Sequence, residues 1–285
     1  MNSKIKRWLQ LILLPICLLT ITGCKATKNQ LPSQAQKNID SVLKNDHKTN
    51  DQQKTIDSNY FDKKTYNYLA SLEYKNGQSA VLEVNQGNST LAMNQWKKNK
   101  VIYGSLDSLN RTTYVTAFID KKNLGRSEGR DRQVWQPTGW HQKRVDGKAI
   151  YNRGHLLAYT SSFNFDINGN YKKGEDGSLD NPKNLATQSA FSNQKVQTYY
   201  ETMVRKAQQR MGNKVIFQIV TVFRGNELMP RGYWLQAKDQ MGTLNFNVYE
   251  FNVEPNVVFD YTTGKSRIDR SMHVFFERQN QKYRN

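Results

Sequence analysis

Three residues of this chain have the types and spacing to hydrolyse a phosphate diester: His155, Asn193 and Glu201. His155 closes the run Tyr151-Asn152-Arg153-Gly154-His155, which continues into Leu156-Leu157. An imidazole with a reference pKa of about 6.5 is mostly neutral at physiological pH and can take a proton from water. An asparagine oxygen can bind a hard cation such as Mg2+, which keeps several waters and admits phosphate oxygens to its shell. One base and one such ion would supply the nucleophile, relieve charge on the phosphorus-bound oxygens and stabilise the leaving alkoxide.

Asn193 and Glu201 belong to a stretch beyond Pro182 in which Ala190, Phe191, Val196, Tyr199, Tyr200, Met203 and Val204 recur at helical intervals, up to a stop at Gly212-Asn213. That apolar stripe is core, and the chemistry is expected on the other face. Eight positions of regular α-helix amount to a rise of about 12 Å and an offset of about 80°. Glu201 is therefore expected to reach an ion held by Asn193 only through a metal-bound water.

The residues resemble a known family, the bacterial DNA/RNA non-specific endonucleases of the ββα-metal type, and especially the membrane-associated DNA-entry nucleases. The resemblance runs from roughly Asp120 to Tyr261. It is strongest in Gln136-Pro137-Thr138-Gly139-Trp140, Asn152-Arg153-Gly154-His155-Leu156-Leu157, Asn181-Pro182-Lys183-Asn184, and Gln188 through Tyr199-Tyr200-Glu201. It implies an α+β fold with a mainly antiparallel sheet and a crossing helix that carries the metal ligand. It also implies His155 as general base, Asn193 as ligand of Mg2+ (or of Mn2+ in its place) and Glu201 as the water-mediated partner, with Asn152, Asn184 and Gln188 in support. Asn152 stands where many members have Asp, so the charge that would favour a protonated imidazole is lost while a hydrogen-bonding group is kept.

The polyanion is expected over the basic residues around the histidine. From Lys121 to His155 nine basic residues face three acidic ones, and Arg126, Arg130, Arg132, Arg153 and, further on, Lys183 are the candidate phosphate contacts. Trp135, Trp140 and Tyr151 lie among these charges, where they could stack on bases or pack a core. No base-reading helix is evident, so little sequence specificity is expected, with DNA and RNA both open as substrates. His141 and His273 lack the motif context and are read as structural or exposed. Asp166, Asn168 and Asn170 alternate like calcium ligands, but Gly169 precedes Asn170 and no acidic residue closes the loop at the required spacing.

The elements that must hold these groups read as strands at 79–84, 113–119, 215–223, 243–253 and 257–261, and Ala149-Ile150-Tyr151 leads into a strand that ends near His155. One domain is expected over residues 60–277, followed by a polar tail at 278–285.

The N-terminus has its own logic. Lys4, Lys6 and Arg7 precede an apolar stretch from Trp8 to Thr20, the pattern of a secretory leader over residues 1–23. Ile21-Thr22-Gly23-Cys24 resembles a lipobox, which makes Cys24 the lipidated first residue of the mature chain. Residues 24–59, rich in Asn, Gln, Lys, Asp and Ser, read as a flexible polar tether with some local helix near 39–44. Cys17 and Cys24 are the only cysteines of the sequence, so the exported domain has no disulfide and no cysteine metal site. Removal of the leader lowers the net charge of +18 to +15, which favours anionic partners. The expected protein is thus an Mg2+-dependent, sequence-non-specific endonuclease, secreted or lipid-anchored at the outer face of a bacterial membrane. The alternative is a catalytically silent lipoprotein that binds nucleic acid or wall polymer.

Overall fold

A computed structural model of the chain describes residues 34–49, 60–128, 132–176 and 178–277. The leader, Cys24 and Arg130 lie outside these residues. Among the described helices none is long and apolar enough to cross a membrane.

The helices are α1 (Gln34–Thr49), α2 (Lys63–Ser71) and α3 (Thr198–Gln209). The strands are β1 (Val81–Glu83), β2 (Lys100–Tyr103), β3 (Tyr114–Ile119), β4 (Arg144–Val145), β5 (Lys148–Ala149), β6 (Tyr151–His155), β7 (Leu185–Ser189), β8 (Val215–Val222), β9 (Gly232–Asp239), β10 (Asn245–Phe251), β11 (Val257–Asp260) and β12 (Lys265–Ile268). Six of them form one antiparallel sheet in the order β1-β10-β9-β8-β3-β2. The other six form three two-stranded ribbons, β4-β5, β6-β7 and β11-β12.

The interior of the sheet is dictated by β8, whose sequence Val-Ile-Phe-Gln-Ile-Val-Thr-Val is buried throughout. A strand covered on both faces needs no alternation, and its one long polar side chain, Gln218, is satisfied by Thr116 Oγ1 and by the Tyr60 carbonyl. Helix α3 lays Tyr200, Val204 and Ala207 into the same core as Val215, Phe217 and Phe246. The Tyr200 and Phe246 rings sit 4.9 Å apart. This is the sheet with a crossing helix expected from the sequence.

Six strands were not legible in the pattern: β2, β4, β5 and β12, of two to four residues each, and the longer β7 and β9. β9 is nearly as buried as β8 and mixes aromatic, polar and charged residues, so it shows no period. β7 falls inside the stretch read as helical. Its Thr187, Gln188 and Ser189 are fully buried polar residues, which removes the apolar alternation that marks a strand. The helical conformation begins only at Ala190. Helix α1 is longer than the local helix expected near 39–44 and buries Ile39 and Val42.

Candidate active site

The β6-β7 ribbon and the helix that follows it bring the predicted residues together. Asn152 pairs with Gln188 and Gly154 with Ala186 across the ribbon, and His155 ends β6 opposite Leu185. β7 runs through Ala190-Phe191 into a π-helical segment, Ser192–Gln197, and only then into α3. The Thr198 amide donates to the Asn193 carbonyl, five residues back. A π turn takes up roughly one extra residue. The eight positions from Asn193 to Glu201 then act as about seven of α-helix, an offset of about 20° instead of about 80°. The regular-helix expectation is corrected accordingly: both side chains face the same way, and both line one cleft.

That cleft has a volume of about 1100 Å³, and its walls include Asn152, Arg153, His155, Asn193, Glu201 and Arg205. His155 is 9% exposed, and its Nε2 lies 2.8 Å from the Leu179 carbonyl oxygen. A carbonyl can only accept, so Nε2 carries the proton and Nδ1 is the ring's acceptor in the neutral form. Glu201 Oε1 accepts from Gln197 Nε2 at 2.8 Å, and Oε2 lies 3.8 Å from Arg205 Nη1. Burial raises the Glu201 carboxyl above the usual range, against the opposing pull of the Gln197 hydrogen bond and the Arg205 charge.

Asn193 is held by amides on both sides. Its Oδ1 accepts from Asn152 Nδ2 at 3.0 Å, and its Nδ2 donates to Gln188 Oε1 at 2.9 Å. Gln188 Nε2 in turn lies 2.9 Å from Ser192 Oγ, Gln197 Oε1 and Glu250 Oε1. Gln197 Nε2 returns to the His155 carbonyl at 2.6 Å. One amide chain thus joins the asparagine, the glutamate and the backbone of the histidine. Gly154 is the gap through which Gln188 passes: a Cβ there would lie 2.0 Å from Gln188 Oε1. Asn184, fully buried, copies a backbone partner for Leu157, accepting from its amide at 2.9 Å and donating to its carbonyl at 3.1 Å. It clamps the chain two residues beyond His155.

The donor set suits a hard cation. Asn193 Oδ1 retains a second lone pair, the Glu201 carboxylate shares the cleft, and sulfur is absent. Among the described residues no group of three or more His, Cys, Asp and Glu is placed to hold a metal. An ion here would depend on few protein atoms and complete its shell with water and phosphate.

Of the candidate phosphate contacts, Arg132 and Arg153 line the cleft. Arg126 lies between two lining residues, Gly125 and Ser127, and Lys183 is not among the lining residues. Arg153 Nη1 donates to the Gln133 carbonyl at 2.7 Å, its guanidinium lies 4.8 Å from the Trp140 ring centroid, and its buried Nε has no hydrogen-bond partner among the described residues. Trp140 is also edge-on to Tyr151. Tyr151 is core, its hydroxyl bound to the Gly264 carbonyl, and Trp135 lies outside the cleft lining. Tyr151 thus packs the core at the cleft wall, and half-buried Trp140 lines the cleft as well. His141 Nε2 meets the Thr263 carbonyl and His273 is exposed, as read from the sequence. Asp166 Oδ1 accepts the amides of Asn168 and Asn170, closing that loop on itself.

Sequence reasoning missed Arg205, Gln197, Glu250, Asn252 and Glu254. Arg205 had a signal, four residues after Glu201 on one helix face. In Glu250-Phe251-Asn252-Val253-Glu254 the alternation was visible, but the polar face would ordinarily face solvent. Here it is turned inward: Glu250 meets Gln188, Asn252 Oδ1 accepts the Ser189 amide at 2.7 Å, and Glu254 Oε2 accepts the Phe191 amide at 2.7 Å.

Comparison with known proteins agrees with this geometry. The profile of the DNA/RNA non-specific endonuclease family matches residues 76–268, and the chain belongs to that family. It is an endonuclease of the ββα-metal fold whose substrate is nucleic acid, and β6, β7 and the π-interrupted helix are its ββα unit. Among solved structures, NucA from Streptococcus agalactiae with magnesium bound is similar at 29% identity and a TM-score of 0.60, over 72% of this chain and 95% of that one. The same protein without metal gives 28% and 0.58, over 75% and 99%. The Sda1 nuclease with bound zinc, at 16% identity and a TM-score of 0.50 over 66% and 96%, shares the fold.

Proposed function

We propose that this endonuclease is exported, depends on a divalent cation, and cuts DNA and RNA without reading sequence while held to the outer face of a bacterial membrane by a lipid on Cys24. The observation that carries the catalytic part is the convergence of His155, Asn193 and Glu201 on one cleft with arginines in its wall. His155 Nδ1 accepts a proton from water as the water oxygen bonds to phosphorus and the P–O bond to the leaving sugar oxygen breaks, that oxygen taking a proton from solvent. Asn193 Oδ1 would hold the cation, with Glu201 reaching it through a bound water. Mg2+, with Mn2+ able to replace it, would offset the charge on the phosphate and on the leaving oxygen. Arg132, Arg153 and Arg205 attract the phosphate backbone, which has the same charge beside every base. Support for magnesium comes from NucA, whose structure holds that ion. The anchor rests on the leader and the lipobox-like Ile21-Thr22-Gly23-Cys24. DNA uptake, nucleotide scavenging and removal of extracellular DNA are tasks this activity would serve.

Plasmid nicking by the purified protein, with and without EDTA and beside His155→Ala and Asn193→Ala, tests the site. Nicking should vanish with the chelator and fall by at least about 1000-fold in His155→Ala. Asn193→Ala should raise the Mg2+ concentration needed for half-maximal rate. Retarded but uncut DNA under every metal condition would instead identify a binding protein. Cys24→Ser should release the protein or leave its leader uncleaved; an unchanged membrane fraction with a processed leader would refute the anchor.

A further inference from the structure

The amide chain beneath the site has a direction. Asn152 donates to Asn193, Asn193 to Gln188, and Gln188 to Glu250. An amide side chain presents oxygen at one end and nitrogen at the other, so fixing one end of such a chain fixes every member. Only with this direction does Asn193 turn its oxygen, and not its NH2, toward Asn152 and the cleft. A cation can use the oxygen alone.

Glu250 stands where the direction could be set. It is fully buried on β10, between edge strand β1 and β9, and it does not line the cleft. Gln188 Nε2 and Ser192 Oγ both donate to its Oε1, at 2.9 and 3.2 Å, while its Oε2 has no hydrogen-bond partner among the described residues. Oε1 accepts whether or not Oε2 carries a proton, so the arrangement survives the strong upward push that burial gives this carboxyl. A buried carboxyl in a strand costs stability unless it is fully paired, and this one is half paired. A purely structural role is better served by an apolar residue.

We propose that Glu250 is a positioning residue of the nuclease, which sets the polarity of the Gln188 amide and thereby turns Asn193 Oδ1 into the cleft. The proposal rests on the reading of Asn193 as the cation's ligand. Gln197, whose Nε2 is committed to the His155 carbonyl and to Glu201, offers Gln188 a second acceptor of the same sense. Loss of Glu250 should therefore weaken cation binding without abolishing it.

The test is Mn2+ binding to the metal-free full-length protein, followed by electron paramagnetic resonance of the free ion, with nicking rates measured in parallel. Glu250→Met, similar in length but without an acceptor, should weaken Mn2+ binding by about tenfold or more, within the range seen for groups that orient metal ligands. Its kcat at saturating metal should stay near the parent value. Glu250→Gln keeps an oxygen for Gln188 and should bind Mn2+ within about threefold of the parent. If Glu250→Met does not melt cooperatively, an exchange decides. Gln188→Glu combined with Glu250→Gln keeps an oxygen for Asn193 Nδ2 and an amide that donates to the new carboxylate, so it should bind Mn2+ within about threefold of the parent. Parental Mn2+ affinity in a folded Glu250→Met, tenfold loss in Glu250→Gln, or tenfold loss in the exchanged pair would overturn the proposal. Asn193→Ala with unchanged Mn2+ affinity would instead remove the underlying reading of the site.

Discussion

Replacing Gly154 by alanine should damage the site through a single methyl group that never enters the cleft. The added Cβ would lie 2.0 Å from Gln188 Oε1, 2.9 Å from its Cβ and 3.0 Å from its Cδ, where ordinary contact begins at 3.4 Å. The oxygen would have to retreat by about 1.4 Å, enough to break a hydrogen bond of normal length. Gln188 has no exposed surface to retreat into, so the ribbon or the π turn must shift with it. Overpacking of this kind costs about 1–3 kcal/mol, and strained or broken bonds to Asn193, Gln197 and Glu250 bring the expected loss to about 2–4 kcal/mol. Misplacement of Asn193 should cost a further ~10–100-fold in nicking at limiting Mg2+. Urea denaturation and plasmid nicking read the two effects separately. Gln188→Ala removes the Oε1 and Cδ that the methyl strikes and leaves only the Cβ contact at 2.9 Å, so the two substitutions should be less than additive by about 1 kcal/mol or more. A Gly154→Ala protein with the parent's urea midpoint and nicking rate, or a strictly additive pair, would refute the packing argument.

Asn184→Ala should cost about 2–4 kcal/mol in urea denaturation, because it strips partners from the buried amide and carbonyl of Leu157 and from the Ser178 carbonyl; a change below about 1 kcal/mol would mean that the loop re-pairs locally. Glu254 titrates at about 7 in the folded protein, raised from 4.5 chiefly by burial. A carboxyl raised on folding holds its proton more tightly in the native state, so stability falls as pH rises from 4.5 to about 7 and levels off above. The fall is at most ~3 kcal/mol, less for whatever solvent reaches the group. Glu254→Gln should flatten that segment of the stability curve, gaining on the parent at pH 8 but not at pH 4, and parallel curves would contradict the assignment. Arg205→Ala should weaken binding to uncut DNA and make it less sensitive to salt by about one phosphate contact; an unchanged salt slope would place Arg205 away from the backbone.

Sequence alone was enough where chemistry is local. The run Asn152-Arg153-Gly154-His155 read as the end of a strand, and the structure places it on β6 with His155 last and in the cleft wall. The apolar periodicity of Val196, Tyr200 and Val204 marked the crossing helix because that face is buried in the ordinary way. Tertiary structure decided what periodicity cannot carry. Whether Asn193 and Glu201 share a face depends on one extra residue absorbed in a π turn, a backbone choice set by packing over Ser192–Gln197. Strand β7 stayed hidden because its inward residues, Thr187, Gln188 and Ser189, are polar and find their partners more than 40 residues away in the chain. Glu250, Asn252 and Glu254 carried no local signal of burial for the same reason. A polar side chain is buried at tolerable cost only when distant groups complete its hydrogen bonds, and those groups acquire their positions only when the sheet, the ribbon and the helix have come together.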